Sequence, residues 1–272
     1  MPVVGWATTY FPITQNGFKI NFVDVDPDTW NIDVDKIEAA ITPNTCAIMA
    51  VNLLGNSCDY NKIVEICEKH NLKLIEDNCE SMGAKHNKSY TGTIGLAGSF
   101  SFFFSHHIQT MEGGMVLCKN KDDADYMRSL RAHGWVRDLP ADSHLYKKTG
   151  NAFDDNFIFA TPGYNIRPVE MSGAIGSEQL KKWPSIMDVR QKNADHFVSL
   201  FKDKPWCRIQ KTIGFSSWFT FGLVLDGELQ GRRAEVIKAL DDAKIQTRPL
   251  ASRNFLKQPV MRDLNFIDNK DY

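Results

Sequence analysis

The chain has 272 residues, of which 43% are hydrophobic and 24% are charged, a balance typical of a soluble globular protein with one or two domains. The formal net charge is −1 and no basic block stands out, so the sequence offers no electrostatic case for nucleic-acid binding. Six cysteines without a CxxC pair favour reduced thiols in the cytoplasm, and no apolar run approaches the ~20 residues of a membrane span.

Strands and helices alternate through the first half of the chain. Apolar runs predict strands over residues 19–25, 46–51 and 72–75. Apolar residues at helical spacing predict helices over residues 33–41 and from about 59 to 70. This alternation is typical of a mainly parallel sheet that is covered by helices.

The most informative stretch extends from Ser99 to Met115. Phenylalanine alternates with serine there and predicts a buried strand over residues 99–104. The Gly113-Gly114 pair predicts a tight turn before a second strand over residues 115–118. The stretch therefore combines a buried strand with a sharp change of chain direction.

His106 and His107 follow directly after this predicted strand, at the place where open α/β sheets bind their ligands. A single histidine in an apolar setting is usually a core residue, so the catalytic and the structural interpretations both stay open. Adjacent residues of an extended chain point to opposite faces and cannot easily share a metal ion, which needs three or four ligands. We therefore expect no metal site.

The second half of the chain lacks the regular alternation of strands and helices. Residues 137–165 are polar and irregular. The elements predicted around them are helices over 122–133, 168–181, 184–201 and 232–243, a linker over 205–214, and strands over 218–225 and 245–249. We expect a large domain over residues 1–183 and a small α+β domain over residues 184–272, with an open end at 266–272.

Several side chains near the predicted strand ends could carry chemistry. Asp77 ends an apolar strand, where a carboxylate caps a helix, lies in a surface turn or pairs with a protonated ring nitrogen of a cofactor, and Glu80 could support the same site. Trp6 is either a core residue or an aromatic plate against a planar cofactor. Arg167 and Arg248 could bind carboxylate or phosphate, although most arginines are solvated surface residues.

A series of motifs covers nearly the whole chain. They are VGWATTYFP (4–12), VDVD (23–26), VNLLGN (51–56), LIEDNCESMGA (74–84), SFSFFFSHH (99–107), EGG (112–114), PGYNIRPVEMSGAIGSEQL (162–180) and TRPL (247–250). In this order they resemble the DegT/StrS family of pyridoxal-phosphate-dependent sugar aminotransferases. The resemblance implies an α/β, aspartate-aminotransferase-like large domain (PLP fold type I) with a mainly parallel sheet, followed by a partial small α+β domain.

The resemblance also implies roles for individual residues. Asp77 matches the carboxylate that pairs with the pyridine nitrogen of pyridoxal 5'-phosphate, and Glu80 belongs to the same cofactor-binding segment. Trp6 matches the aromatic residue that stacks on the ring, and Ser101 matches a phosphate ligand. Asn165 matches an asparagine that reaches the phosphate from the neighbouring subunit, which implies a homodimer with shared active sites.

His106 stands where aminotransferases of the family carry the lysine that bonds the cofactor covalently. Imidazole has no primary amine, but it can move protons near neutral pH. This departure resembles the 3-dehydratase branch, which holds pyridoxamine 5'-phosphate without a covalent link and removes the C3 hydroxyl of nucleotide-linked 4-keto-6-deoxysugars. The resemblance implies surface polysaccharide (O-antigen) biosynthesis, glutamate as a second substrate, and His133, Arg167 and Arg248 as substrate-binding candidates.

Alternative functions stay open. The chain could be a nucleotide-sugar aminotransferase that uses another lysine. It could also be a truncated, non-catalytic homologue, because the family's upstream Gly-Ser turn and the sequence beyond TRPL have no counterpart here. A sister branch of the family uses an iron–sulfur cluster with added cysteines in the loop over residues 135–145; this loop contains none, so we expect no cluster.

Overall fold

The computed structural model describes residues 1–267. The helices are α1 (Ala7–Gln15), α2 (Tyr60–Lys69), α3 (Lys121–Leu130), α4 (Ala152–Asp155), α5 (Glu170–Phe201) and α6 (Arg233–Asp242). The strands are β1 (Ile20–Asn21), β2 (Ala47–Val51), β3 (Lys73–Asp77), β4 (Lys85–His86), β5 (Ser89–Tyr90), β6 (Ala97–Ser101), β7 (Gly114–Cys118), β8 (Cys207–Ile209), β9 (Leu223–Leu225) and β10 (Phe266–Ile267). None of these helices is long and apolar enough to cross a lipid bilayer.

The central sheet has four strands in the order β2-β3-β6-β7. The first three strands are parallel and β7 is antiparallel to β6, so the predicted mainly parallel sheet is confirmed. Val51 pairs with Asp77, and Asp77 pairs with Ser99. The carboxyl ends of the three parallel strands therefore meet at one edge of the sheet.

Helix α2 shows why secondary structure in the first half of the chain could be predicted from the spacing of its apolar residues. The Asp59 side chain accepts a hydrogen bond from the Lys62 N–H and caps the helix. Ile63, Ile66 and Cys67 are buried against β2 and β3, as their spacing predicts. Burial of each large aliphatic side chain contributes about 1.5–3 kcal/mol, so this face holds the helix on the sheet.

A fully buried carboxylate anchors the loop between β5 and β6. The Glu76 side chain accepts hydrogen bonds from the backbone N–H groups of Gly92 at 2.5 Å, Ile94 at 2.6 Å and Gly95 at 2.7 Å. A buried charge is tolerated where donors satisfy it in this way. Glu76 thus places β6 beside β3 and has a structural function.

The phenylalanine–serine strand differs from its prediction over residues 99–104. Strand β6 begins at Ala97 and ends at Ser101, and Phe104 is 67% exposed. The Ser101 hydroxyl accepts a hydrogen bond from the Phe103 N–H, and such a local contact competes with continuation of the strand. Gly114 begins β7 instead of forming a turn with its neighbour, because it pairs with Ser101.

The helical pattern after residue 165 also differs from its prediction. Helix α5 is a single helix of 32 residues that contains Pro184, whereas the sequence predicts two helices. A proline inside a helix removes one hydrogen bond and its ring crowds the carbonyl four residues earlier. The half of α5 that follows Pro184 is nevertheless held by Ala194 and Phe197, which pack against Trp218. The predicted linker over 205–214 contains β8, which pairs with β9.

Two predicted strands near the C-terminus are reduced or missing. The strand over 218–225 shortens to β9, because Trp218 has a φ of 49° that a strand cannot accommodate. Residues 245–249 are irregular. Their side chains are mostly exposed, so no buried face holds them in a sheet.

The two ends of the described chain pack together. Strand β10 pairs in parallel with β1, and Phe255 and Met261 join the core around Tyr10. The predicted division after residue 183 falls inside α5 and stays a prediction. Most of the predicted open end, residues 268–272, lies outside the described residues.

Candidate active site

Asp77 ends β3, and hydrogen-bond donors surround its carboxylate. The Thr9 hydroxyl donates to Oδ2 at 2.6 Å, and the Cys79 N–H donates to Oδ1 at 3.1 Å. The Ser99 hydroxyl lies 3.4 Å from Oδ1. Within residues 1–267 no ion pair includes Asp77. The carboxylate is therefore oriented by the protein but has no cationic partner from it.

His106 lies beyond the end of the neighbouring strand β6 and is half-buried. Its ring meets the Phe219 ring edge to face at a centroid distance of 5.0 Å and the Phe103 ring at 5.9 Å. Nδ1 is buried and has no hydrogen-bond partner among the described residues. Two aromatic rings thus fix the imidazole and leave Nε2 as the nitrogen open to a ligand.

Burial lowers the pKa of His106 below its ordinary value. The backbone carbonyl groups of Cys79 and Ser101 and the charge of Asp77 raise it, whereas the positive charge of Arg248 lowers it further. The net result is a pKa below the ordinary value, which favours the neutral imidazole. A neutral imidazole is the form that accepts a proton.

His107 has a different environment from its neighbour. It is 3% exposed, its Nε2 lies 3.1 Å from the Ser217 carbonyl oxygen, and its ring contacts Trp183 and Phe219. Burial lowers its pKa to about 3, with a further contribution from the charge of Arg190. His107 is therefore a core residue, and of the two histidines His106 is the one that stays a candidate for proton transfer.

Glu80 brings a second carboxyl group close to Asp77. Its Oε2 accepts a hydrogen bond from the Leu54 N–H at 3.0 Å. Burial raises the pKa of Glu80 to about 7, and the charge of Asp77 raises it too, while the Leu54 hydrogen bond and Arg248 oppose these effects. A carboxyl group with such a pKa can hold or release a proton near neutrality.

Trp6 and Ser101 flank this group of residues. Trp6 immediately precedes α1, three residues before Thr9, and is 59% exposed, so its indole is available to a ligand. Ser101 ends β6, where its hydroxyl already accepts a hydrogen bond from the Phe103 N–H at 3.2 Å. Its hydroxyl proton can still be donated to a phosphate oxygen.

Arg248 joins the site from the C-terminal part of the chain. Its guanidinium carbon lies 5.7 Å from the centre of the Phe219 ring, and its charge lowers the pKa of both His106 and Glu80. The structure therefore brings Arg248 to the same site as Asp77. A guanidinium group there can receive a carboxylate or a phosphate.

For three further candidates the contacts found lie outside this group. Asn165 and Arg167 are exposed, and the backbone of Asn165 forms an isolated antiparallel β-bridge with Ala132. The His133 ring lies 6.0 Å from the Trp135 ring, and the backbone N–H of His133 donates to the Tyr164 carbonyl oxygen. Their roles stay predictions.

Sequence reasoning missed two residues of the site, Thr9 and Phe219. Thr9 belongs to the motif that contains Trp6, one turn along α1, and this spacing could have indicated it. No local signal distinguishes Phe219 from the aromatic residues around it. Within residues 1–267 no group of three or more His, Cys, Asp or Glu side chains is arranged to hold a metal ion.

The chain is similar to known proteins over nearly its whole length. The family model of the DegT/DnrJ/EryC1/StrS aminotransferase family matches residues 1–271, and the chain belongs to this family. GDP-4-keto-6-deoxy-D-mannose 3-dehydratase of Yersinia pseudotuberculosis is 49% identical over 269 residues, which are 98% of this chain and 68% of that protein.

Solved structures agree with this assignment. A mutant of GDP-4-keto-6-deoxymannose-3-dehydratase with bound GDP-perosamine is 43% identical, with a TM-score of 0.94 over 97% of this chain and 69% of that one. A structure of the same enzyme with a trapped PLP-glutamate geminal diamine is 43% identical, with a TM-score of 0.95 over 98% and 69%. The predicted family and its α/β fold are confirmed.

Proposed function

We propose that the chain is a pyridoxal/pyridoxamine 5'-phosphate-dependent 3-dehydratase of nucleotide-linked 4-keto-6-deoxysugars in surface polysaccharide biosynthesis. The observation that carries the proposal is the half-buried imidazole of His106 beyond the end of β6, the strand whose Ser99 pairs with Asp77. The likeness to two 3-dehydratases, at 49% and 43% identity, supports it. The proposed sugar class is that of the substrate of these two enzymes.

The residues at the strand ends fit the cofactor. Asp77 is oriented by three donors and lacks a cationic partner among the described residues, as a carboxylate facing a pyridinium nitrogen must. Trp6 would cover a ring face and Glu80 would lie beside it. Ser101, with Asn165 of a second copy, would bind the phosphate. When bound as the amine form and joined to the sugar C4, the cofactor would withdraw electrons into its ring and so acidify the C–H bonds of its own methylene carbon.

His106 supplies the base. With Nδ1 enclosed, Nε2 would take a proton from the methylene carbon of the bound pyridoxamine form and would return a proton to the departing C3 hydroxyl, which leaves as water. Phe219 and Phe103 hold the ring and exclude water from one side of it. An imidazole cannot form the covalent link that a lysine forms, so the cofactor must be held by non-covalent contacts alone.

Partners follow from the same site. Arg248 faces it and is the structural candidate for the substrate's anionic groups, with Arg167 and His133 as further candidates. The structure with a PLP-glutamate adduct supports glutamate as the amine donor. We also propose a homodimer, because Asn165 matches the family's asparagine that binds the phosphate from the neighbouring subunit, and a cytoplasmic location, which suits six free cysteines.

The test is a product assay. The purified chain is incubated with pyridoxamine phosphate, glutamate and GDP-4-keto-6-deoxymannose, and the sugar is analysed by mass spectrometry. Loss of the C3 hydroxyl is expected, and His106→Asn should abolish it while cofactor binding persists. A 4-amino sugar that keeps its C3 hydroxyl would establish an aminotransferase instead, and cofactor binding without any product would establish a non-catalytic homologue.

A further inference from the structure

Thr9 connects two parts of the candidate active site that are distant in sequence. It lies in the first turn of α1, is 6% exposed, and donates its hydroxyl proton to Asp77 Oδ2 at 2.6 Å. Its backbone N–H donates to the Trp6 carbonyl oxygen at 3.0 Å. One residue therefore contacts both the proposed ring-stacking residue and the proposed partner of the ring nitrogen.

The hydroxyl of Thr9 is directed to Asp77 by its surroundings. A threonine inside a helix usually donates to the carbonyl four residues earlier. Here that carbonyl belongs to Gly5, and it already accepts hydrogen bonds from the backbone N–H and the hydroxyl of Ser252. The Thr9 hydroxyl is therefore free to leave its own helix and bind the carboxylate.

Helix α1 is also anchored through the residue that follows Thr9. Tyr10 is fully buried, its hydroxyl donates to the Pro2 carbonyl oxygen at 3.1 Å, and its ring packs against Phe22 and Phe255. The start of α1 consequently has a fixed position on the protein. Because Thr9 belongs to this fixed helix, its hydrogen bond also fixes the position of the Asp77 carboxylate.

The Asp77 carboxylate is held at both oxygen atoms. Oδ1 accepts from the Cys79 N–H and Oδ2 accepts from Thr9, so rotation of the carboxylate would break both hydrogen bonds. Each oxygen of a carboxylate can accept a second hydrogen bond. The donor at Oδ2 thus selects one orientation and leaves a lone pair of the carboxylate for a cationic ligand.

We infer that Thr9 is a positioning residue that fixes the Asp77 carboxylate relative to Trp6, so that one rigid unit holds both the ring face and the ring nitrogen of the cofactor. The inference rests on the proposed function, because that function supplies the planar cationic ring. Thr9 acts through Asp77 and touches no reacting atom.

The test measures binding of pyridoxamine phosphate by calorimetry. Thr9→Val keeps the shape of the side chain but removes the donor, and it should weaken binding about tenfold. Thr9→Ser keeps the donor and should bind within about threefold of the unmodified chain. Thr8→Val is the matched control, because Thr8 is the adjacent, exposed threonine of α1. It should leave binding unchanged.

A second ligand separates positioning from a general structural effect. In the 1-deaza analogue of pyridoxamine phosphate a C–H group replaces the ring nitrogen, so Asp77 has no cation to bind. Thr9→Val should leave the affinity for this analogue unchanged. In an Asp77→Ala background, Thr9→Val should have no further effect on binding of pyridoxamine phosphate.

The outcomes distinguish the inference from the proposed function. If the unmodified chain binds no pyridoxamine phosphate, the proposed function fails and the inference fails with it. If the unmodified chain binds it and Thr9→Val binds it equally well, only the inference fails. Equal weakening for both ligands would also overturn the inference, since it would mark Thr9 as a residue of general stability.

Discussion

Two adjacent histidines have different chemistry here because their surroundings differ. His107 is enclosed by Trp183 and Phe219 and bound to the Ser217 carbonyl, whereas His106 is half-buried and keeps one nitrogen open. Both have a lowered pKa, but only His106 can exchange a proton with a ligand. Accessibility, in addition to basicity, separates the catalytic candidate from the core residue.

His107 should make the fold sensitive to acid. Its folded pKa is about 3, so below pH 6.5 the unfolded chain binds a proton that the folded chain excludes, and the free energy of unfolding falls with pH. The slope should be about 1 kcal/mol per pH unit between pH 6 and 4. Urea unfolding at several pH values should show a shallower slope for His107→Asn. The exposed control His196→Asn should keep the original slope; equal slopes for both variants would contradict the prediction.

Asp77→Asn should weaken pyridoxamine phosphate binding and remove turnover. Without the carboxylate the ring nitrogen loses its proton and the electron sink is lost. Calorimetry and the product assay measure the two effects. Asp59→Asn is the control, because Asp59 is also an aspartate that accepts a backbone hydrogen bond but caps α2. Near-normal turnover of Asp77→Asn would refute the role given to Asp77.

His106→Lys should create a covalent link that the unmodified chain lacks. A lysine amine condenses with pyridoxal phosphate, and borohydride makes that bond permanent. Intact-mass measurement after borohydride treatment should show an adduct on His106→Lys alone, and this variant should lose dehydration. An adduct at a single lysine of the unmodified chain would favour the aminotransferase interpretation.

Secondary-structure elements owe their ends to contacts that lie elsewhere in the chain. The loop before β6 is held by the Glu76 carboxylate, and α5 passes through Pro184 because its second half packs against Trp218. Such contacts decide where a strand begins and whether a helix continues. Loss of one such side chain should therefore destabilise the whole strand or helix that it holds.

Glu76→Gln should lower the free energy of unfolding by about 3 kcal/mol or more. The amide group turns one acceptor into a donor facing backbone N–H groups, and it removes the charge that strengthens the remaining hydrogen bonds. Urea unfolding measures the change. Glu65→Gln, on the exposed face of α2, should change it by less than about 0.5 kcal/mol. Similar values for the two variants would show that the buried contacts contribute little.

At the scale of the whole molecule, the proposed dimer can be tested by mixing inactive variants. If Asn165 acts on the neighbouring subunit's site, a mixed dimer of His106→Asn and Asn165→Ala chains contains one intact site. Equal mixing after unfolding and refolding should then restore about a quarter of the original activity. Each variant refolded alone is the control. No recovery in the mixture would place Asn165 in the site of its own chain.

Local sequence determined the elements whose signals lie within a few residues. The periods of apolar residues and the cap at Asp59 predicted β2, α2 and β3 closely, because helix caps and buried faces are short-range features. Asp77 was identified from its place at the end of an apolar strand. The His106 substitution was identified from the order of motifs.

Tertiary structure decided what depends on distant residues. The end of β6 at Ser101, the continuity of α5 and the loss of the strand over 245–249 follow from packing and exposure that no local window contains. The Thr9–Asp77 hydrogen bond joins residues 68 positions apart, and the His107–Ser217 contact joins residues 110 apart. Periodicity can place a side chain on a face of its own element, but only the folded chain decides which partner meets it there.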